Sequence, residues 1–271
     1  MAVLVTGATG LVGARLLPRL VAAGHACRAL VRAGKRVPAG VARVEGELSD
    51  RAALERAVEG VSAVVHLAAV FRTADTDLVW TTNLEGTRNL LEATKARAPG
   101  ARFILASTSN VYAPASGRPG REDDPVEPAH AYPASKVAAE QALRDSGLRW
   151  TVLRFPFVYG DQDGHLEALP GHAAAGGWHP AKRISTLHHR DVATAVGLAL
   201  DGAFDGRIVN VCDEAPTSLF ELAALVGQPM APSALPLDDP WHLLVDGSLA
   251  RSLGFRPSVR TVYQAVEQGL V

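Results

Sequence analysis

The chain has 271 residues, 48% hydrophobic and 20% charged, with a formal net charge of −1 and a pI of about 6.8. That composition excludes a disordered chain, and the length suits one large domain or a domain with an appendage. Basic residues form no stripe, so no nucleic-acid partner is expected, and two cysteines, Cys27 and Cys212, are too few for a disulfide framework or a metal cluster.

Both cysteines lie in apolar runs that read as strands and are expected in the core. Met1 is followed at once by AVLVTG, without the basic and apolar regions of a secretory signal, and no apolar run reaches the length of a membrane span. The expectation is a cytoplasmic protein with no membrane partner.

Along the chain, AVLVT is a short β-branched run that stops at a glycine, as a buried parallel strand does. LVGARLLPRLVAAG has helical spacing and ends at Gly24, a plausible C-cap. HACRALV reads as a second strand and VARVEGEL as a short third one. SDRAALERAVEG follows as a helix, VSAVVHLAA as a fourth strand, and residues 76–98 as one long helix. ARFILAS supplies the fifth strand, a helix starts at Pro133, and LRWTVLRFPFVY supplies the sixth strand.

This alternation predicts right-handed crossovers and an α/β fold, a Rossmann-type doubly wound parallel sheet over residues 1–155. Residues 156–271 are richer in Gly, Pro and Asp and read as a small C-terminal substrate lobe whose chain returns to the sheet, with GRIVNVCD as one more strand.

TGATGLVG places Gly7, Gly10 and Gly13 between the first strand and the first helix. Glycines there let backbone N–H groups approach a pyrophosphate at the positive end of a helix dipole. The second strand ends ALVRAGKR, so Arg32, Lys35 and Arg36 stand where an NAD site commonly carries an acidic residue. An arginine pairs with a 2′-phosphate that a carboxylate would repel. NADP(H) is therefore the favoured cofactor, with NAD(H) the alternative.

YPASK sets Tyr132 and Lys136 four residues apart, on one face of a helix that Pro133 starts. A nearby ammonium favours the phenolate, which makes a tyrosine a useful proton donor near neutral pH. ARFILASTSNVYA runs off the fifth strand into Ser107, Thr108 and Ser109, whose hydroxyls would face the crevice at the strand's C-terminal edge.

TGATGLVG, HLAA, TTNLEGTRNLLEA, LASTSNVYA, YPASK, LRFPFVYGD and HHRDVATAV together, in this order, resemble the extended short-chain dehydrogenase/reductases, also described as the NAD-dependent epimerase/dehydratase family. The resemblance implies that Tyr132 is the catalytic acid/base, that Lys136 lowers its pKa and bonds the nicotinamide ribose, and that Thr108 orients the substrate oxygen. It places Asn83 under the active site among the catalytic set. It assigns Gly7, Thr9, Gly10, Leu11, Val12, Gly13, Arg32, Arg36, Glu47, Leu48, Leu67, Ala68, Ala69, Lys136 and Phe155 to the cofactor. A homodimer is implied by the same analogy.

Three departures narrow the activity. Ser109 and Asn110 stand where the family's nucleotide-sugar dehydratases carry an acidic pair, and Phe157 replaces an Asn found near the sugar in sugar-nucleotide members. Those epimerases are also usually longer. Phe71, Phe157 and Trp178 suggest an apolar wall of a substrate site that Ser109 and His188 also enter. His66 is either near the cofactor or a satisfied core residue. His165, His172 and His179 recur every seven residues, but Pro170, Gly171, Gly176 and Gly177 are expected to break that helix, and no metal site is predicted.

The reading is an NADP(H)-dependent oxidoreductase that reduces a small, largely apolar ketone or aldehyde, or oxidises the alcohol. An NAD-dependent nucleotide-sugar epimerase is the alternative, and a dinucleotide-binding regulator without chemistry a third.

Overall fold

A computed structural model describes residues 2–113 and 117–271. The chain alternates strand and helix: β1 (Ala2–Thr6), α1 (Gly13–Ala22), β2 (Ala26–Val31), β3 (Val41–Glu45), α2 (Arg51–Val58) and β4 (Val61–His66). Then come α3 (Thr76–Trp80), a π-helical turn (Thr81–Glu85), α4 (Gly86–Arg97), β5 (Arg102–Thr108), α5 (Ala131–Arg144) and β6 (Arg149–Phe155). After these, β7 (Phe157–Tyr159), α6 (His165–Ala175), β8 (Arg183–Ile184), β9 (Thr186–His188) and α7 (His189–Leu200) lead to β10 (Arg207–Asn210).

Seven parallel strands form one sheet in the order β10-β6-β5-β4-β1-β2-β3. The strands read as nearly continuous apolar runs because helices cover both faces. On β1, Val3 and Val5 point to the side packed by Leu16, Leu17 and Leu20 of α1 and Val192 and Val196 of α7. Leu4 points the other way, into the core shared with Leu54, Leu90 and Leu143 of α2, α4 and α5. The order reverses at β1, which pairs with β2 on one side and β4 on the other, so a crevice opens beyond their C-terminal ends.

The sixth apolar run divides. Pro156 has no N–H for a ladder, so β6 stops at Phe155 and β7 pairs with β9 in a separate small sheet. A third core, with Tyr159, Leu166, Leu169, Ile184, Leu219, Leu222 and Val262, gathers the segments after β6. Of the described segments after β6, β10 returns to the main sheet, beside β6, and Cys212 lies just past its end, buried like Cys27.

Two expectations about helices change. Residues 76–98 are two α-helices joined by the π-helical turn at Thr81–Glu85 rather than one regular helix. Pro170 and Gly171 do not break α6, which runs from His165 to Ala175. The buried face made by Leu166, Leu169 and Ala173 holds it, at the cost of one backbone hydrogen bond.

The glycines of the first turn are needed where another backbone segment comes close. A Cβ on Gly13 would lie 2.2 Å from the Gly7 carbonyl oxygen and 2.8 Å from Ala8 Cα, so α1 packs on β1 only because that atom is missing. Gly13→Ala is expected to cost about 1–3 kcal/mol of overpacking. Gly197, inside α7, has open space around its Cα, and Gly197→Ala should gain about 0.5–1 kcal/mol. Urea unfolding midpoints of the two variants should move in opposite directions, and a neutral Gly13→Ala would contradict the packing.

Candidate active site

A cleft of about 1320 Å³ runs along the C-terminal edge of the main sheet and over the segments that follow β6. Its first half is built on the turn after β1. Gly7 has φ +68°, and a Cβ there would lie 2.6 Å from the Ala68 nitrogen, so the segment after β4 closes against the turn. The Gly10 N–H donates to the Gly7 carbonyl at 3.0 Å, and Thr9, Gly10, Leu11, Val12 and Gly13 line the cleft at the start of α1. Leu67, Ala68, Ala69 and Phe155 line it from the ends of β4 and β6. This narrow, glycine-walled cradle at a helix N-terminus fits a pyrophosphate.

At the end of β2 the cleft is lined by Arg32 and Lys35, with Glu47, Leu48 and Ser49 opposite. Both cations are exposed, and among the described residues neither forms an ion pair. Arg36, exposed just beyond the turn at Gly34 (φ +73°), is not among the residues that line the cleft.

Beyond the cradle, β5 delivers Thr108 to the sheet edge and α5 presents Tyr132. Thr108 is buried, and its hydroxyl lines the cleft near the Tyr132 phenol. Burial pushes the phenol up to about 12, against the Thr108 hydroxyl and the positive charge of Arg72, which both act to lower it. Lys136, one turn on, is buried, and burial brings its ammonium down to about 8, opposed by the carboxylate of Glu140. Arg72 is thus a cation acting on the phenol that the sequence did not single out.

A polar network supports this helix from beneath. The Asn83 side chain accepts from the Val70 N–H at 2.8 Å and donates to the Val70 carbonyl and to Ser135 Oγ, both at 3.0 Å. Ser135 Oγ donates to the Tyr132 carbonyl at 2.7 Å. Asn83 sits in the π-helical turn, is fully buried and is not among the residues that line the cleft, so its contacts are with the backbone and Ser135 beneath the site. His66 is a satisfied core residue. Thr87 donates to the Asn83 carbonyl at 2.6 Å and so accepts from His66 Nε2 at 2.9 Å, which leaves His66 Nδ1 to accept from Thr6. Burial first, then the Lys136 charge, holds that imidazole neutral, down to about 3.

Glu140, one turn beyond Lys136, receives the hydroxyl of Ser107 and both Nε and Nη2 of Arg154, the latter at 2.7 Å. Arg154 also donates to the Tyr112 hydroxyl at 2.9 Å, and Tyr112 donates to Asn210 at 2.7 Å. Nothing in the sequence pointed to Glu140. The signal available was its i+4 spacing from Lys136.

In the outer half of the cleft, Phe71, Ser109, Phe157 and Trp178 all line the walls. The Phe71 and Tyr132 rings lie 5.7 Å apart, and Phe157 stacks on His165 at 4.2 Å. His165 and His172 line the same wall from α6, whereas His179 lies beyond that helix. His188 does not enter the cleft, contrary to expectation. Its Nε2 donates to the Leu270 carbonyl at 2.9 Å and its Nδ1 accepts from the Arg190 N–H, so it caps α7. Arg72 and Lys182 are lining cations that the sequence did not single out, and Lys182 pairs with Asp239 at 2.8 Å.

A sequence model described as the NAD dependent epimerase/dehydratase family matches residues 3–212. The chain is 34% identical over 172 residues to a UDP-glucose 4-epimerase of Azospirillum brasilense, covering 58% of this chain and 49% of that protein. The chain thus spans about half the length of that relative. It is 32% identical over 247 residues to the 4-hydroxy-2-methyl-3-oxo-4-farnesyl-3,4-dihydroquinoline-1-oxide ketoreductase of Stigmatella aurantiaca, covering 83% of this chain and 72% of that one. Among solved structures, a short-chain dehydrogenase/reductase superfamily protein from Agrobacterium tumefaciens with bound NAD superposes with a TM-score of 0.80. Its sequence is 27% identical, and the match covers 99% of this chain and 95% of that chain.

The buried ammonium of Lys136 has a measurable signature. Between about pH 8 and the ordinary lysine value of 10.5, the unfolded chain keeps a proton at this position that the folded chain has released. Stability from this group therefore rises as pH rises through that window. From pH 8 to 10.5, urea unfolding of wild type should gain on the order of 2 kcal/mol relative to Lys136→Met. A difference that stays constant with pH would place the ammonium in solvent.

Proposed function

This chain belongs to the NAD dependent epimerase/dehydratase family, and on that premise we propose that it is an NADP(H)-dependent reductase of a largely apolar ketone or aldehyde, or the dehydrogenase of the corresponding alcohol. The observation that carries this reading is that Thr108, Tyr132 and Lys136 line one cleft that is continuous with the glycine cradle. When bound, the reduced nicotinamide supplies a hydride to the carbonyl carbon. Thr108 orients the carbonyl oxygen, and Tyr132, protonated throughout the neutral range, gives that oxygen its proton. Lys136, buried beside the cradle and facing the cleft, would bond the cofactor's ribose.

Residues 1–155 would hold the dinucleotide and residues 156–271 would supply the substrate lobe. Support for an apolar substrate comes from Phe71, Phe157 and Trp178 on the walls, and from a relative named as a ketoreductase of a farnesyl compound. The epimerase relative and the NAD-bound neighbour favour the rival reading of a nucleotide-sugar enzyme using NAD. Ser109 and Asn110 in place of an acidic pair argue against dehydration of such a sugar, and Phe157, stacked on His165 where an amide would meet the sugar, argues against the epimerase. NADP(H) rather than NAD(H) is supported by Arg32 and Lys35, two cations at the strand end of the cleft that form no ion pair among the described residues.

Two measurements test this. Tyr132→Phe should lower the rate of NADPH-dependent carbonyl reduction by about 10²-fold or more, and equal rates would remove the proposed acid. Arg32→Asp should reverse the preference between NADPH and NADH, mainly through KM, by about 10-fold or more. If wild type already uses NADH as well as NADPH, the assignment of Arg32 fails while the chemistry stands.

A further inference from the structure

Arg72 is an anomaly within the outer half of the cleft. It follows Phe71 on the segment after β4, has φ +56°, and lines the cleft beside Tyr132. Its guanidinium lies 5.1 Å from the Phe71 ring centroid, and that ring is 5.7 Å from the Tyr132 ring. Among the described residues it forms no ion pair.

What holds it is a histidine. His165 Nδ1 donates to the Val158 carbonyl at 2.7 Å, so its Nε2 carries a lone pair, which accepts from Arg72 Nη2 at 2.6 Å. Stacking on Phe157 fixes the ring, and burial together with the Arg72 charge keeps it neutral. A neutral imidazole orients the guanidinium without discharging it. The other lining cation of this half, Lys182, is already neutralised by Asp239. The carboxylates lining the cleft are Glu47, Glu85 and Glu127, and none of them pairs with Arg72.

We propose that Arg72 is the receptor for a carboxylate on the substrate, placed beside the carbonyl that Tyr132 serves, so that the substrate class is an oxo acid with an apolar body. This rests on the reading of carbonyl reduction given above and deepens it. One fixed, unpaired guanidinium matches one planar carboxylate, which it can grip with two parallel N–H bonds. The apolar body would lie against Phe71, Phe157 and Trp178. In the reaction the carbonyl carbon gains a hydride from NADPH, which leaves as NADP+, and the carbonyl oxygen gains the Tyr132 proton. The carboxylate passes through unchanged.

The test compares medium-chain α- and β-oxo acids with their methyl esters, as substrates and as ligands of the enzyme–NADPH complex by calorimetry. Wild type should favour the acid over its ester by about 10- to 100-fold in kcat/KM, the range of a charge-assisted hydrogen bond. Arg72→Gln should erase that preference, chiefly through KM for the acid, and Arg72→Lys should restore only part of it. Thermal melting of both variants shows that they fold. Esters used as well as acids by wild type, or an Arg72→Gln variant that loses equally on both, would overturn the assignment while carbonyl reduction stands. If no compound is turned over, the catalytic reading fails alone: acid binding that Arg72→Gln abolishes still supports the receptor, and equal binding of acid and ester overturns it. Binding of UDP-glucose that depends on Arg72 would also overturn it, in favour of a nucleotide-sugar site.

Discussion

The geometry of the cleft depends on one buried amide. Asn83 satisfies both the N–H and the carbonyl of Val70 and reaches Ser135, which in turn holds the Tyr132 carbonyl. Three pieces of chain far apart in sequence are thereby fixed at one point: the segment after β4, the π-helical turn, and the first turn of α5. The arrangement is costly to disturb, because each backbone group left unpaired in a dry interior costs about 1–3 kcal/mol. The π-helical turn follows from the same constraint. A π turn inserts one residue into a helical register, and such turns gather at functional sites. Here it is the turn that carries Asn83, with Thr87 just beyond it closing a hydrogen bond back to the Asn83 carbonyl.

Electrostatics beneath the helix follow from burial of opposite charges in a single column. Lys136 and Glu140 lie one turn apart on α5, and Arg154 from β6 meets Glu140 with both residues only 3–4% exposed. Removing either member of the Glu140–Arg154 pair would leave a charge stranded in the core, which typically costs several kcal/mol. The pair does not make the protein stable in itself. It fixes the carboxylate that faces Lys136, and it ties β6 through Tyr112 and Asn210 to β10 at the sheet edge. The neutral His66, bonded on both ring nitrogens, completes the surroundings of the ammonium without adding a second cation.

Much of this was legible in the chain. Buried parallel strands read as short apolar runs, and the glycine turn lies directly between the first strand and the first helix, so the sheet and the cradle follow from pattern alone. Tyr132 and Lys136 share a face because four residues make about one turn. What was not legible depended on partners distant in sequence. His188 looked like a substrate residue until the Leu270 carbonyl and the Arg190 N–H were found on its two nitrogens. Pro170 looked like a helix breaker because local rules carry no knowledge of the Leu166, Leu169 and Ala173 face that holds α6 together. Arg72 was unremarked for a related reason. Its meaning lies in a histidine 93 positions away and in the carboxylates that do not meet it.

That last point bears on how an apolar wall tolerates a cation. Arg72 is exposed as a residue, but its guanidinium lies against Phe71 and His165 and loses part of its hydration, which draws its pKa down. The ring face of Phe71 returns some of that loss, as a cation over a π-face does. His165 returns more, but as a neutral acceptor it leaves the charge whole. The same charge acts on Tyr132, favouring the phenolate that forms once the proton has been given up. Arg72 thus stands in two roles on the proposed reading: it would draw a substrate anion toward the acid, and it would ease the acid's loss of its proton. Both roles require the guanidinium to remain unpaired until substrate arrives, and the neutral histidine beneath it satisfies that requirement.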